Sequence, residues 1–127
     1  MLNKVQLIGF LGGAVDLRYT AGDNPKAVAK FSLATSESWK GKDGQKQEHT
    51  DWHNIVIYGK LAEIADEHLG KGSLVYLEGS IKNRSYEKGG ETKYITEIVC
   101  DTMKMLPNGK SQGAKEKSAP ADNDGPF

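Results

Sequence analysis

The sequence predicts an all-β barrel domain carrying one helix, followed by a C-terminal extension that builds no core. Three observations carry this. Apolar stretches of strand length recur at residues 5–10, 28–35, 50–58, 73–81 and 94–105, with turn chemistry between them. Only residues 60–69 repeat their apolar positions at helical spacing. From Pro107 onward the chain reads PNGKSQGAKEKSAPADNDGPF, with almost no apolar residue before Phe127.

The elements follow in order. Residues 5–10, VQLIGF, form an apolar strand, and Gly12-Gly13 permits a sharp bend or bulge after it. AGDNP at 21–25 is a turn. In the second strand Ala29, Phe31, Leu33 and Thr35 share one face. In the third, Asp51, His53, Ile55 and Ile57 share one face, and Trp52, Asn54, Val56 and Tyr58 the other. The isoleucines mark the core side, so Trp52 and Tyr58 are expected to look outward. In the helix Leu61, Ile64, Ala65 and Leu69 fall on one side, and Gly70 stands where a C-cap glycine belongs. The last two strands are joined through Glu87-Lys88-Gly89-Gly90, a hairpin tip.

Strand, strand, strand, helix, strand, strand is the element order of an OB-fold. That is a five-stranded Greek-key barrel with its helix between the third and fourth strands. The domain is expected to span residues 1–106. Residues 107–127 are too polar, and too rich in Gly, Pro, Ser and Lys, to pack, and are expected to be a disordered tail.

Length allows one domain of about 100 residues plus an appendage. The single cysteine, Cys100, allows no disulfide within the chain, and a reducing cytosol is the expected compartment. MLNKVQLIGF is too short and polar for a secretory signal, and no apolar run is long enough to span a bilayer. Seventeen Lys and Arg balance seventeen Asp and Glu, so composition alone demonstrates no polyanion binder. Placement says more. Trp39, Trp52 and Tyr58 stand among Lys40, Lys42, Lys46 and Lys60, all within residues 33–62. Flat aromatic faces among cations suit single-stranded nucleic acid, in which every base has a π-face and every nucleotide a phosphate. An outward aromatic stripe has no packing rationale within one monomer.

LATSESW at 33–39, TDWHNIVIYGKLAEIA at 50–65, KGSLVYLEGSI at 71–81 and the terminal DNDGPF resemble the bacterial single-stranded-DNA-binding protein family of replication and repair. The likeness covers residues 1–106 and resumes at the last six. It implies a protein that binds single-stranded DNA without sequence preference, protects it, and recruits partners in replication, recombination and repair. It implies no catalysis, cofactor or metal, and a cytoplasmic, nucleoid-associated location. Trp39, Trp52 and Tyr58 match base-stacking positions, and Tyr86 matches a fourth that is usually Trp. Lys4, Arg18, Lys60, Lys71 and Arg84 are expected to supply phosphate contacts. His53 matches a subunit-interface histidine of a homotetramer. Asp122, Asp124, Pro126 and Phe127 match a partner-docking tip. The chain lacks the proline that often follows the glycine in the LGGAVDLRY segment, Asn123 splits the two aspartates, and Gly125 replaces an apolar residue.

Plainer readings compete at several positions. Tyr19, Tyr76 and Tyr94 are expected to be structural or at the rim. His49, Asp51 and His53 alternate on one face, but nothing completes a metal site, which needs three or four converging ligands. Asp66-Glu67 reads as a solvated helix face. Cys100 lies in an apolar strand pattern and reads as buried and inert. No phosphate-cradling loop of Walker spacing is present. Two rival functions share the fold: a protein-interaction module without stacking rings, and a nuclease, which needs a metal–carboxylate–Arg site.

Overall fold

The computed structural model describes residues 1–107. The strands are β1 (Val5–Leu11), β2 (Asp16–Tyr19), β3 (Ala27–Lys40), β4 (Lys46–Tyr58), β5 (Leu74–Lys88) and β6 (Glu91–Leu106), with one helix, α1 (Lys60–His68), between β4 and β5. They form one sheet in the order β1-β5-β6-β4-β3-β2, closed by a second pairing of β1 with β3. No described helix is long and apolar enough to cross a membrane.

Closure comes from β1 changing partners. Val5 to Phe10 run antiparallel to β5, and then Phe10 and Leu11 pair with Ala34 and Leu33 of β3. After the bend at Gly12-Gly13, β2 continues down the same strand, pairing Asp16 with Lys30 and Tyr19 with Ala27. β1 and β2 are thus one barrel strand broken in two, and the barrel has the five strands of an OB-fold. β2 is not legible in the sequence, because four residues with one half-buried position carry no visible alternation.

The alternating faces meet inside. Phe31, Leu33, Ile55, Ile57, Val75, Leu77, Ile98 and Cys100 are all buried in one cluster. The helix packs on β2, β3 and β4 and closes one end with Ala62, Ala65 and Leu69. Leu61 and Ile64 are both only half-buried while Ala62 is fully buried, so the buried stripe is rotated from the expected one. Gly70 is not the left-handed cap. Leu69 caps the helix in extended conformation, Gly70 N–H donates to Ser73 Oγ, and the positive φ of 88° falls at Gly72. Burial pushes the Cys100 thiol pKa up to about 11, so it stays protonated at neutral pH.

Two hairpins extend well past the predicted strand ends. β3 and β4 stay paired as far as Lys40 and Lys46, and β5 and β6 as far as Lys88 and Glu91. Gly89 and Gly90 both have positive φ, 61° and 81°, as a two-residue hairpin turn requires. These arms are mostly polar and exposed. Backbone pairing holds them rather than burial, and periodicity of apolar residues does not register that.

Candidate nucleic-acid interface

Register places the side chains of the barrel's outer surface in rows across the strands. One row runs Arg18, Val28, Tyr58, and the next runs Asp16, Lys30, Val56, Val99. Beyond them come Ser32 with Asn54, then Ala34 with Trp52. Trp52 and Tyr58 therefore share one face, as strand parity predicts, and both are at least half-exposed. Val56 departs from that prediction and is buried. It lies in a groove beneath Arg84 and Glu97, which come from the neighbouring β5–β6 arm.

Three depressions join into one track across this face. The first lies along β2 and β3 between Arg18, Tyr19, Val28 and Lys30. The second shares Asp16 and Lys30 with it and reaches Asn54, Val56, Arg84 and Glu97. The third shares Asn54 and Ile95 with the second and ends between Trp52 and Tyr94. This last cleft exists because β4 pairs with β6 only from Ile55 to Ile57, above which the two hairpin arms diverge. Asn54 Nδ2 donates to the Thr96 carbonyl across its base, at 3.3 Å.

The expected site residues divide. Trp52, Arg18 and Arg84 line the track, and Tyr58 stands in the row beside it. Tyr86 lies two residues beyond Arg84 on the same strand face, and the Glu97 carboxylate raises the Arg84 pKa. Lys71 sits in the loop whose Gly72 N–H donates to the Leu11 carbonyl, next to Gly12. Lys60 is exposed at the helix start. Lys4 is engaged elsewhere: its Nζ is 2.9 Å from Glu78 Oε1 on the β1–β5 surface, and Tyr76 donates to the other carboxylate oxygen. Those two donors hold the Glu78 carboxyl below the usual range. His53 accepts or donates at 2.8 Å to Thr35 Oγ1 and is half-buried, while His49 pairs with Asp51, so the three alternating residues do not converge. Asp122, Asp124, Pro126 and Phe127 lie outside the described residues.

Trp39 is 49% exposed near the tip of the β3–β4 arm. Its register partner is Gln47, and the pairing runs without a slip to Leu33–His53. By alternation Trp39 therefore lies on the face opposite to Trp52. The two tryptophans do not form one platform.

Two track residues escaped the sequence reading. Lys30 sits at the junction of the first two depressions, where the outward parity of β3 places it between Val28 and Ser32. Tyr94, assigned to structure or rim, is 79% exposed and lines the cleft opposite Trp52. Only the divergence of the arms brings it there. Tyr76 donates its hydroxyl to Glu78 outside the track, whereas Tyr19 donates to Glu63 and also lines the first depression.

Trp52 is seated on Gly12. A Cβ at Gly12 would lie 2.4 Å from Trp52 Cζ3 and 3.1 Å from Ser32 Oγ. Both are side-chain atoms, so Gly12→Ala is expected to fold and to push the indole aside. An off-rotamer indole costs about 0.5–1.5 kcal/mol. In a Trp39→Phe background, where Trp52 is the only tryptophan, the Gly12→Ala change should shift the tryptophan emission maximum or its acrylamide quenching. Unaltered emission with an unaltered melt would show that the ring does not depend on this seat.

A profile of the single-strand binding protein family matches residues 2–106. A single-stranded DNA-binding protein of Neisseria meningitidis serogroup A is 53% identical over 106 residues, covering 83% of this chain and 60% of its own length. The chain thus spans less than two thirds of that relative. Single-stranded DNA-binding protein 1 of Xylella fastidiosa is 45% identical over 130 aligned residues, covering 97% of this chain and 94% of its own. Among solved structures, a Plasmodium falciparum SSB in complex with ssDNA superposes with a TM-score of 0.75 at 36% identity, covering 84% of this chain and 96% of its own. A deletion mutant of the single-stranded DNA-binding protein from Thermus aquaticus gives 0.71 at 33% identity, covering 84% and 51%. With a family profile over almost every described residue, and relatives this similar, the chain belongs to the single-strand binding protein family.

Proposed function

We propose that this protein binds single-stranded DNA without sequence preference and acts as a binder rather than an enzyme. The observation that carries this is the track across β2, β3, β4 and the β5–β6 arm, lined by Arg18, Lys30 and Arg84 and ending between the exposed rings of Trp52 and Tyr94. Trp52, Tyr58, Tyr86 and Tyr94 offer faces for bases. Arg18, Lys30, Lys60 and Lys71 offer charge for phosphates. A groove without hydrogen-bond readout of base edges tolerates any sequence. In the cell such binding protects exposed strands during replication, recombination and repair, in the cytoplasm at the nucleoid.

Residues 1–106 form the binding domain in this reading, and residues 107–127 serve as an arm. Its tip, Asp122, Asp124, Pro126 and Phe127, docks into basic pockets of replication and repair proteins: Phe127 enters an apolar slot and the aspartates steer its approach. Self-association into a tetramer through the surface that includes His53 lets one strand wrap several barrels.

Titration with oligo(dT), followed by tryptophan emission and light scattering, tests the reading. Emission should quench to a stoichiometric end point, the oligonucleotide should stay intact, and the mass should correspond to four chains. Absence of quenching at low salt would sink the reading in favour of a protein-interaction module, and cleavage would favour a nuclease.

A further inference from the structure

The centre of the track holds a carboxylate where a polyanion is to be bound. Glu97 is only 7% exposed, the one buried charged residue among those described. Arg84 Nε donates to Glu97 Oε1 at 2.9 Å, and Nη2 to Oε2 at 3.0 Å. That is the two-pronged geometry with which arginine grips a phosphate. Glu97 lies beneath and Arg84 above, its side chain 48% exposed against 9% for the glutamate. A ligand in the groove therefore meets the guanidinium and not the carboxylate.

The surroundings keep both groups ionised. The Arg84 donors hold the Glu97 carboxyl below its usual range despite burial, with Lys30 assisting. Tyr86 follows Arg84 by two residues on the same strand face. Beside this pair, Asp16 engages Arg18 at 3.2 Å. Two of the three track cations are thus matched by carboxylates inside the track, and Lys30 is left as its uncompensated charge.

We propose that Glu97 is a positioning residue that occupies the fork of Arg84 in place of phosphate, so that Arg84 serves single-stranded DNA as a flat stacking surface on the same strand face as Tyr86. The inference rests on the single-stranded-DNA reading above. An arginine plane stacks on bases as an aromatic ring does. With its Nε and one Nη2 donor committed to Glu97 and its charge matched by that carboxylate, the guanidinium releases no counterion when DNA binds. Glu97 then limits both the affinity of the groove and its sensitivity to salt.

Salt titrations of oligo(dT) binding decide this. Each phosphate neutralised on a single strand adds about −0.7 to the slope of log K against log salt. Glu97→Gln frees the fork. Its slope should steepen by about 0.7, so that between 50 and 200 mM salt it loses roughly 2.6-fold more affinity than wild type. Arg84→Gln/Glu97→Gln removes both charges and leaves no unpaired buried ion. It should keep the wild-type slope while binding about tenfold more weakly, through the lost stacking surface. A slope flattened by about 0.7 in the double variant would make Arg84 a phosphate contact and overturn the proposal. So would an unchanged slope in Glu97→Gln. Thermal melts confirm folding of each variant. Failure of wild type to bind oligo(dT) at all would instead overturn the functional reading itself.

Discussion

Trp52→Ala should weaken oligo(dT) binding by on the order of 1–3 kcal/mol, roughly 5- to 150-fold, at any length that fills the track. The ring is 58% exposed and stands at the end of the cleft it shares with Tyr94. Its removal opens no core cavity, so the melt should stay near wild type. Trp39→Ala should behave differently. Trp39 lies near the arm tip and, by register, on the opposite face of the β3–β4 hairpin. A short oligonucleotide confined to the track does not reach it, whereas a longer one passing around the arm does. Its cost should therefore be small with short oligo(dT) and approach that of Trp52→Ala with long. Separate contacts should add in the double variant within about 0.5 kcal/mol. Equal losses for both tryptophans on the shortest binding oligonucleotide would place them on one platform and contradict the register. Normal affinity in a folded double variant would remove both rings from the interface.

The division between what the sequence reveals and what it hides follows the physics of each element. Ile55 and Ile57 alternating with Trp52 and Tyr58 mark both the core and the binding face of β4, because a half-buried strand must alternate. The helix is legible for the same reason, being amphipathic, although its buried stripe centres on small alanines that hydrophobicity alone does not pick out. The polar arms are not legible, since they are stabilised by main-chain pairing and carry no apolar pattern. Tyr94 and the Trp52 cleft depend on where two arms diverge, which is a property of tertiary pairing. Lys30 was available from parity, but one outward lysine on a strand is ordinary. The Arg84–Glu97 pair joins residues 13 apart on a long hairpin. Neither residue announces its partner until the register is known. The net neutrality that argued against a polyanion binder also finds a local counterpart here, because part of the track's positive charge is matched within the track.

Gly79→Ala should have one of the largest effects on folding. Gly79 lies at the bulge between β5 and β6, where the register shifts beside Glu78. A Cβ there would fall 2.1 Å from the Val99 carbonyl oxygen, 2.8 Å from its carbon and 2.9 Å from Cys100 Cα. All three are backbone atoms of the paired strand, and Leu77, Ile98 and Cys100 fill the core beside them. No side chain can rotate away, so Gly79→Ala must push β6 off β5 where the barrel curls. Overpacking of this kind costs on the order of 3 kcal/mol, which for a domain of about 100 residues lowers Tm by roughly 12–24 °C. Gly13→Ala supplies the contrast. Nothing lies within 4 Å of its Cβ position and its φ is not in the left-handed region. By restricting the unfolded chain, that substitution should leave stability unchanged or raise it by about 0.4–1 kcal/mol. Melts of both variants at one fixed protein concentration separate a local close approach from a general sensitivity to glycine replacement. If Gly79→Ala melts with wild type, the strands have room at the bulge and the curl of the barrel does not require a glycine there.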